Sequence, residues 1–460
     1  MSAIVNDVYF LSEPDVAAAR LPLEKLAECF ADAHPLLSAD QAHIEASRCY
    51  FCYDAPCITA CPTAIDIPGF IRALSTGNLA GAGQKIFESN ILGGACARVC
   101  PTEILCEGAC VRNAQQSKPV EIGALQRVAT DAAMARAAAS GKHPFQRAAA
   151  TGRRVAVVGA GPAGLACAHE LAKSGHEVDL FDAKPKPGGL NEYGIAAYKM
   201  ADAFAAREVE FVLSIGGIKM IPNQALGREL DLGTLRRDYE AVFLGIGQAG
   251  VNALSIPGEE LTGVMDAVRF IEILRQSKDK SDVKVGRHVV VIGGGNTAID
   301  AAVQAKRLGA ELVTLVYRRG REDMPATSVE QDWALVNGVA FRHWAAPVAI
   351  EGDGAARAVR FARTELVDGR LALGEDGFIL RADMVLKAVG QSLDVFDADA
   401  LPKIGRGRIL VNPETLETSL PGVFAGGDCI VGQDLTVQAV ADGKRAALGI
   451  NAFLEGKANG

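Results

Sequence analysis

An α/β chain with an all-α N-terminal part is predicted from three observations. RVAVVGAGPAGLACAHELAKSGHEVDLFD, starting at Arg154 behind an Arg153, runs strand, glycine-rich turn, helix, strand. RHVVVIGGGNTAIDAAVQAKRLGAELVTLVYRR repeats that pattern from Arg287, about 130 residues later. Ahead of both, residues 1–150 hold short Ala-rich helical patterns and nine of the chain's eleven cysteines, eight of them between Cys49 and Cys110. Two such βαβ units indicate paired Rossmann-like, doubly wound nucleotide-binding domains, because solenoid repeats recur at shorter intervals.

A chain of 460 residues has room for about three domains. The expected division is 1–150 for the helical cysteine-bearing part, 151–285 plus 395–460 for the first nucleotide domain, and 286–394 for the second. Within the first part, AGAGQKIFESNIL and EIGALQRVATDAAMARAAA carry helical apolar spacing, and GKHPFQRAAATGRR reads as a connector. A hydrophobic content of 49% with 22% charged residues is that of an ordinary globular protein. A net charge of −8 argues against nucleic acid, which needs a basic face. The opening residues lack the basic and apolar regions of a signal peptide, and no window is apolar enough for a membrane span. A cytoplasmic chain is expected, with its thiols reduced.

The cysteines come in two runs: Cys49-x2-Cys52-x4-Cys57-x3-Cys61-Pro, then Cys96-x3-Cys100-Pro leading to Cys106-x3-Cys110. Structural zinc would use two separated CxxC pairs. Closely spaced cysteines that end in Cys-Pro are instead the ferredoxin habit, and soft thiolates suit [4Fe–4S] clusters. Eight cysteines would serve two such clusters, four each. Cys29, Cys167 and Cys429 stand alone and are expected to be small buried hydrophobes.

In the first nucleotide motif, Gly159 makes the turn, Gly161 lets a pyrophosphate approach and Gly164 packs helix on strand, with Pro162 and Ala163 between them. Asp182 ends the next strand, where a carboxylate meets ribose hydroxyls, and Gly189 and Leu190 follow as further contacts. Late in the chain, GVFAGGDC places Gly427 and Asp428 where two-dinucleotide oxidoreductases return to the flavin. The helix from Thr436 and Val437 would then aim its positive N-terminus at that flavin. The first site is therefore expected to hold FAD. In the second motif, Gly293, Gly295 and Ala298 take the GxGxxA places around Asn296 and Thr297. Its second strand ends in Arg318 and Arg319 and not in an acid, so NADPH is slightly favoured over NADH. With seven scattered histidines and no nucleophile motif, the cofactors are expected to carry the chemistry.

The order DAPC, ACPTAIDIPGFI, CARVCPTEILCEGAC, IGALQR, GAGPAGL, GGGNTAID, FAGGD resembles dihydropyrimidine dehydrogenase. The likeness is to its FAD-bearing small subunit and runs from about residue 40 to the end. The glutamate synthase small subunit shares this architecture. It typically carries an FPE-containing phrase where this chain reads ILGGACARVCP. The resemblance implies that Cys49, Cys52, Cys57 and Cys110 hold one cluster. It gives the other to Cys61, Cys100, Cys106 and Gln126, and leaves Cys96 out. It further implies an electron-input subunit. Hydride would pass from NAD(P)H to FAD, and single electrons through the two clusters to a separate FMN- and iron–sulfur-containing TIM-barrel partner that reduces uracil or thymine. The small subunit of glutamate synthase, or a related oxidoreductase, is the alternative. A zinc-stabilised scaffold is the reading of a different class. One departure concerns the nicotinamide: YRRGRED delays Glu322 until after Arg318, Arg319 and Arg321, where an NAD-dependent member would place an acid earlier.

Overall fold

Near-continuous apolar strands such as VAVV and VVVI belong to parallel sheets covered on both faces, and each nucleotide motif forms one. The computed structural model describes residues 13–394 and 402–458. It divides into two units. Among the described residues, the unit holding the first motif has a five-stranded parallel sheet. Its order is Val423–Ala425, Ala241–Leu244, Arg154–Val158, Glu177–Asp182, Ile218–Pro222. Val155, Val157, Leu180, Phe243 and Leu244 fill its core. Burying such a side chain contributes about 1.5–3 kcal/mol. The helix Pro162–Lys173 follows the motif and is crossed by the long helix Thr436–Ala458. An added Cβ on Gly443 would lie 2.0 Å from the Ala163 carbonyl, so only glycine permits that close crossing.

The same unit contains the cysteine-bearing helices. Helix Ala39–Ala46 begins with a reciprocal Ser38–Gln41 capping box, and Ile67–Ser75 and Leu79–Ser89 are capped by Asp66 and Asn78. They pack with Ile122–Ser140 around Phe70, Ile71, Ile86 and Leu125. The helix expected to run through Leu92 stops at Ser89. Asn90 adopts extended backbone there and accepts the Leu92 N–H on its own side chain at 3.0 Å, an alternative to helical bonding.

The unit with the second motif has its own five-stranded parallel sheet among the described residues. Its order is Val339–Arg342, Leu312–Val316, His288–Ile292, Met384–Lys387, Val264–Asp266. A three-stranded antiparallel meander, Ala345–Asp353, Ala355–Val367 and Arg370–Arg381, is added to it. Residues 13–33, grouped by composition with the cysteine helices, belong to this unit. Val16–Ala17 pairs antiparallel with Val285–Gly286, and Leu26 is buried in this unit's core. Residues 193–201 also join it: Lys199 forms ion pairs with Asp300 at 2.8 Å and Glu330 at 2.6 Å. Among the described residues, no helix is long and apolar enough to cross a membrane.

Candidate functional site

Cys49, Cys52, Cys57 and Cys110 line one cavity, together with apolar side chains such as Ile67 and Ile71. Cys61, Cys100, Cys106 and Gln126 line a second, which Cys96 and Asn90 share. Sequence spacing alone had paired the cysteines run by run; the fold instead brings Cys110 to the first run and Cys61 to the second. Main-chain and side-chain donors point at the sulfurs: the Phe51 N–H at Cys49 from 3.4 Å, and the Asn90 amide at Cys96 from 3.2 Å. Gln126 is buried and donates its amide nitrogen to the Gly93 carbonyl at 2.7 Å, which leaves the amide oxygen as its donor towards a metal.

Burial pushes the Cys57 thiol up to about 12, and neighbouring Cys49 and Cys110 add to the shift. Burial likewise raises Cys49 and Cys106. Cys100 is raised by a hydrogen bond with Cys96 and by burial. Without metal these thiols keep their protons, and metal binding must release them. Among the described residues, no three His, Cys, Asp or Glu side chains meet closely enough to hold a single ion. Thiols ringing a space, with amide donors aimed at sulfur, fit the donor set of an iron–sulfur cluster.

At the first motif, Gly159 has φ +101°, and a Cβ there would strike the Gly245 carbonyl at 2.2 Å. Gly161 caps the helix that begins at Pro162, and among the described residues an added Cβ would meet only Gly189, at 3.7 Å. That small opening, walled by the Gly188–Gly189 turn before Leu190, is the space a pyrophosphate needs. Asp182 is buried; its two oxygens accept the Ala160 and Lys184 N–H groups at 2.6 and 2.7 Å. It therefore ties the glycine turn to the strand end, and each oxygen keeps a second lone pair for a ribose hydroxyl. Burial pushes its carboxyl up from the usual range.

Gly427, at φ +74°, lies against Ala163, and its N–H donates to Asp442 at 3.1 Å. Burial pushes Asp428 up to about 6, with Asp434 adding to it, while its carbonyl accepts from Gln248 at 2.8 Å and from Arg408. The Thr436 hydroxyl donates to Asn191 at 3.0 Å. Val437, in the first turn of that helix, is buried and lines the second cysteine cavity. One helix start thus borders both the returning Gly-Asp turn and a cysteine cavity.

In the other unit, Gly293 has φ +144° and a Cβ there would lie 2.2 Å from the Ala388 carbonyl. Among the described residues, a Cβ on Gly295 would meet nothing within 4 Å. Asn296 is exposed, Thr297 half-buried and Ala298 buried in the first turn that follows. Arg318 and Arg319 are exposed beyond the next strand, their carbonyls accepting from Thr364 at 2.7 Å and the Trp344 N–H at 3.1 Å. Among the described residues, no carboxylate forms an ion pair with either, whereas Arg321 is paired with Asp332 at 2.6 Å.

The profile of the pyridine nucleotide-disulphide oxidoreductase family matches residues 153–443. The chain belongs to that family. Residues 26–138 match dihydropyrimidine dehydrogenase domain II, 4Fe-4S cluster. The Escherichia coli glutamate synthase [NADPH] small chain is 34% identical over 98% of this chain and 99% of its own length. The E. coli NAD-dependent dihydropyrimidine dehydrogenase subunit PreT is 35% identical over 90% of this chain and 94% of its own. Mycobacterium tuberculosis FprA in complex with NADPH has a similar fold, with a TM-score of 0.57 at 21% identity over 67% of this chain and 85% of that one. This family member is an NAD(P)-dependent, electron-transferring oxidoreductase of the two-dinucleotide flavoprotein type, with FAD and 4Fe-4S chemistry.

Sequence reasoning missed several residues of these sites. Asn191, Gln248 and Asp442 act through contacts 15 to 245 residues along the chain, and no local pattern marks them; Asn90 reaches only Leu92 and Cys96, six residues away or fewer. Arg112, two residues after Cys110 in a cysteine motif, lines the first cavity and could have been noticed. Of the lone cysteines, Cys167 and Cys429 are buried as expected, but Cys29 is only partly so.

Proposed function

We propose that the chain is the electron-input subunit of a dihydropyrimidine dehydrogenase, working in the cytoplasm with an FMN- and iron–sulfur-containing TIM-barrel partner that reduces uracil or thymine. Val437 carries the electron-relay part of this reading, because it lines the second cysteine cavity from the helix start that faces the flavin-binding turn. Cys49, Cys52, Cys57 and Cys110 would hold one [4Fe–4S] cluster; Cys61, Cys100, Cys106 and Gln126 would hold the other. When bound, FAD supplies the conversion between nicotinamide's hydride and the single electrons that iron–sulfur clusters carry. The chain's own residues bind and orient. Gly161 and Gly295 admit pyrophosphates, the N–H groups at Thr436 and Val437 favour negative charge beside them, and exposed Arg318 and Arg319 receive a 2′-phosphate, favouring NADPH.

The phrases DAPC and IDIPGFI, and the absence of an FPE phrase before the second cysteine run, support the pyrimidine reading. A second reading, the small subunit of a glutamate synthase, is favoured by the near end-to-end match to that relative. The deciding measurement isolates the chain with its native partner and follows NADPH and NADH oxidation. Oxidation that depends on uracil or thymine is the expected result. Oxidation that depends instead on glutamine and 2-oxoglutarate would replace it with the second reading.

A further inference from the structure

The two cysteine cavities differ in charge. Arg112 lines the first, its guanidinium 3.8 Å over the Tyr50 ring and its Nε donating to the Arg48 carbonyl at 2.6 Å. Tyr50 lines the same cavity, and its hydroxyl donates to Gln115 at 2.5 Å, so the cation is held in place from two sides. Among the described residues, no carboxylate forms an ion pair with Arg112, so its charge is not neutralised locally. Among the described residues, no Lys, Arg or His lines the second cavity. An acid, Glu107, stands beside it and accepts the Gly123 N–H at 2.9 Å.

Ligand sets alone would work against outward electron flow. Four thiolates make the first site one unit more negative than a site of three thiolates and a neutral amide. More negative charge disfavours reduction. An electron arriving on the Val437 side would then remain at the second site. We propose that Arg112 reverses this order, raising the reduction potential of the first site above that of the second and so directing electrons away from the flavin. This inference rests on the two-cluster reading given above. A fixed cation beside the thiolates stabilises the more negative, reduced state of whatever they hold. Each electron that enters derives from the nicotinamide hydride, and each that leaves passes to the partner's acceptor.

The test is an anaerobic, EPR-monitored potentiometric titration of the full chain reconstituted with FAD, iron and sulfide. Cys110→Ser identifies which signal belongs to the first site. In Arg112→Gln, the first-site midpoint should fall by at least about 59 mV, a tenfold change for a one-electron couple. The second signal should stay in place. Arg112→Lys should keep most of the wild-type value, and Val111→Lys, at a partly exposed position of the same cavity, should restore it in the Arg112→Gln background. If Arg112→Gln takes up no iron, Val111→Lys in the wild type should by itself raise the first midpoint. An unmoved midpoint in Arg112→Gln, equal falls in the Gln and Lys variants, or no effect of Val111→Lys would overturn the proposal. Fewer than two cluster signals in the wild type would remove the two-cluster reading itself, an outcome distinct from an unmoved midpoint.

Discussion

At the first nucleotide motif, a Cβ on Gly164 would lie 1.8 Å from the Gly159 carbonyl; at the matching place of the second motif, Ala298 sits buried with its methyl accommodated. Around Gly161 the chain closes in, with Gly189 opposite and the Gly427 turn packed on Ala163. Around Gly295, nothing among the described residues stands within 4 Å of an added Cβ. The two units share a strand arrangement, each motif strand lying third in a five-stranded parallel sheet. The same backbone pattern therefore serves two purposes. A walled site suits a cofactor that stays bound, and an open one suits a nicotinamide that must leave after each turnover.

The most damaging way to probe this difference is Gly164→Val, which drives a branched side chain into the Gly159 carbonyl. The expected outcome is almost no soluble flavin-bearing protein by absorbance; normal yield and colour would show that the close approach is dispensable. Cys110→Ser comes next, since it tests whether the first unit's parts are separable. Iron content should fall by about half while flavin absorbance stays, and loss of flavin would contradict independent binding.

Gly295→Ala should be milder than its counterpart, because the methyl meets open space. The variant should fold and keep flavin, while the KM for the nicotinamide rises about tenfold, a loss of about 1.4 kcal/mol. An unchanged KM would mean that no pyrophosphate comes near Gly295. The smallest effect is expected for Arg318→Ala: a several-fold rise in KM for NADPH and little change for NADH. Equal changes for both would remove the phosphate-binding role.

Reading the sequence went furthest where function depends on neighbours along the chain. Gly159, Gly161 and Gly164 are legible because one turn, one approach and one helix–strand contact lie within a few residues. Cys57 and Cys61, by contrast, are close in sequence yet line different cavities. Spacing could only suggest four cysteines per run; the division across runs came from family resemblance. The motif gives Asp182 a ribose to face; what the structure shows is its carboxylate holding the glycine turn through Ala160. Composition groups segment 13–33 with the cysteine helices, whereas strand pairing and the burial of Leu26 place it in the second-motif unit.

By itself, then, the sequence determined the two nucleotide motifs, the supply of thiolates and the flavin–nicotinamide character of the chemistry. Periodicity and turn geometry are local properties, written in adjacent residues. Only the tertiary structure decided which thiols share a cavity, that Val437 borders one of them, and that Arg112 lines the other without a pairing carboxylate among the described residues. Those juxtapositions depend on how distant helices pack, and packing is set by the summed burial of many side chains that no short motif encodes.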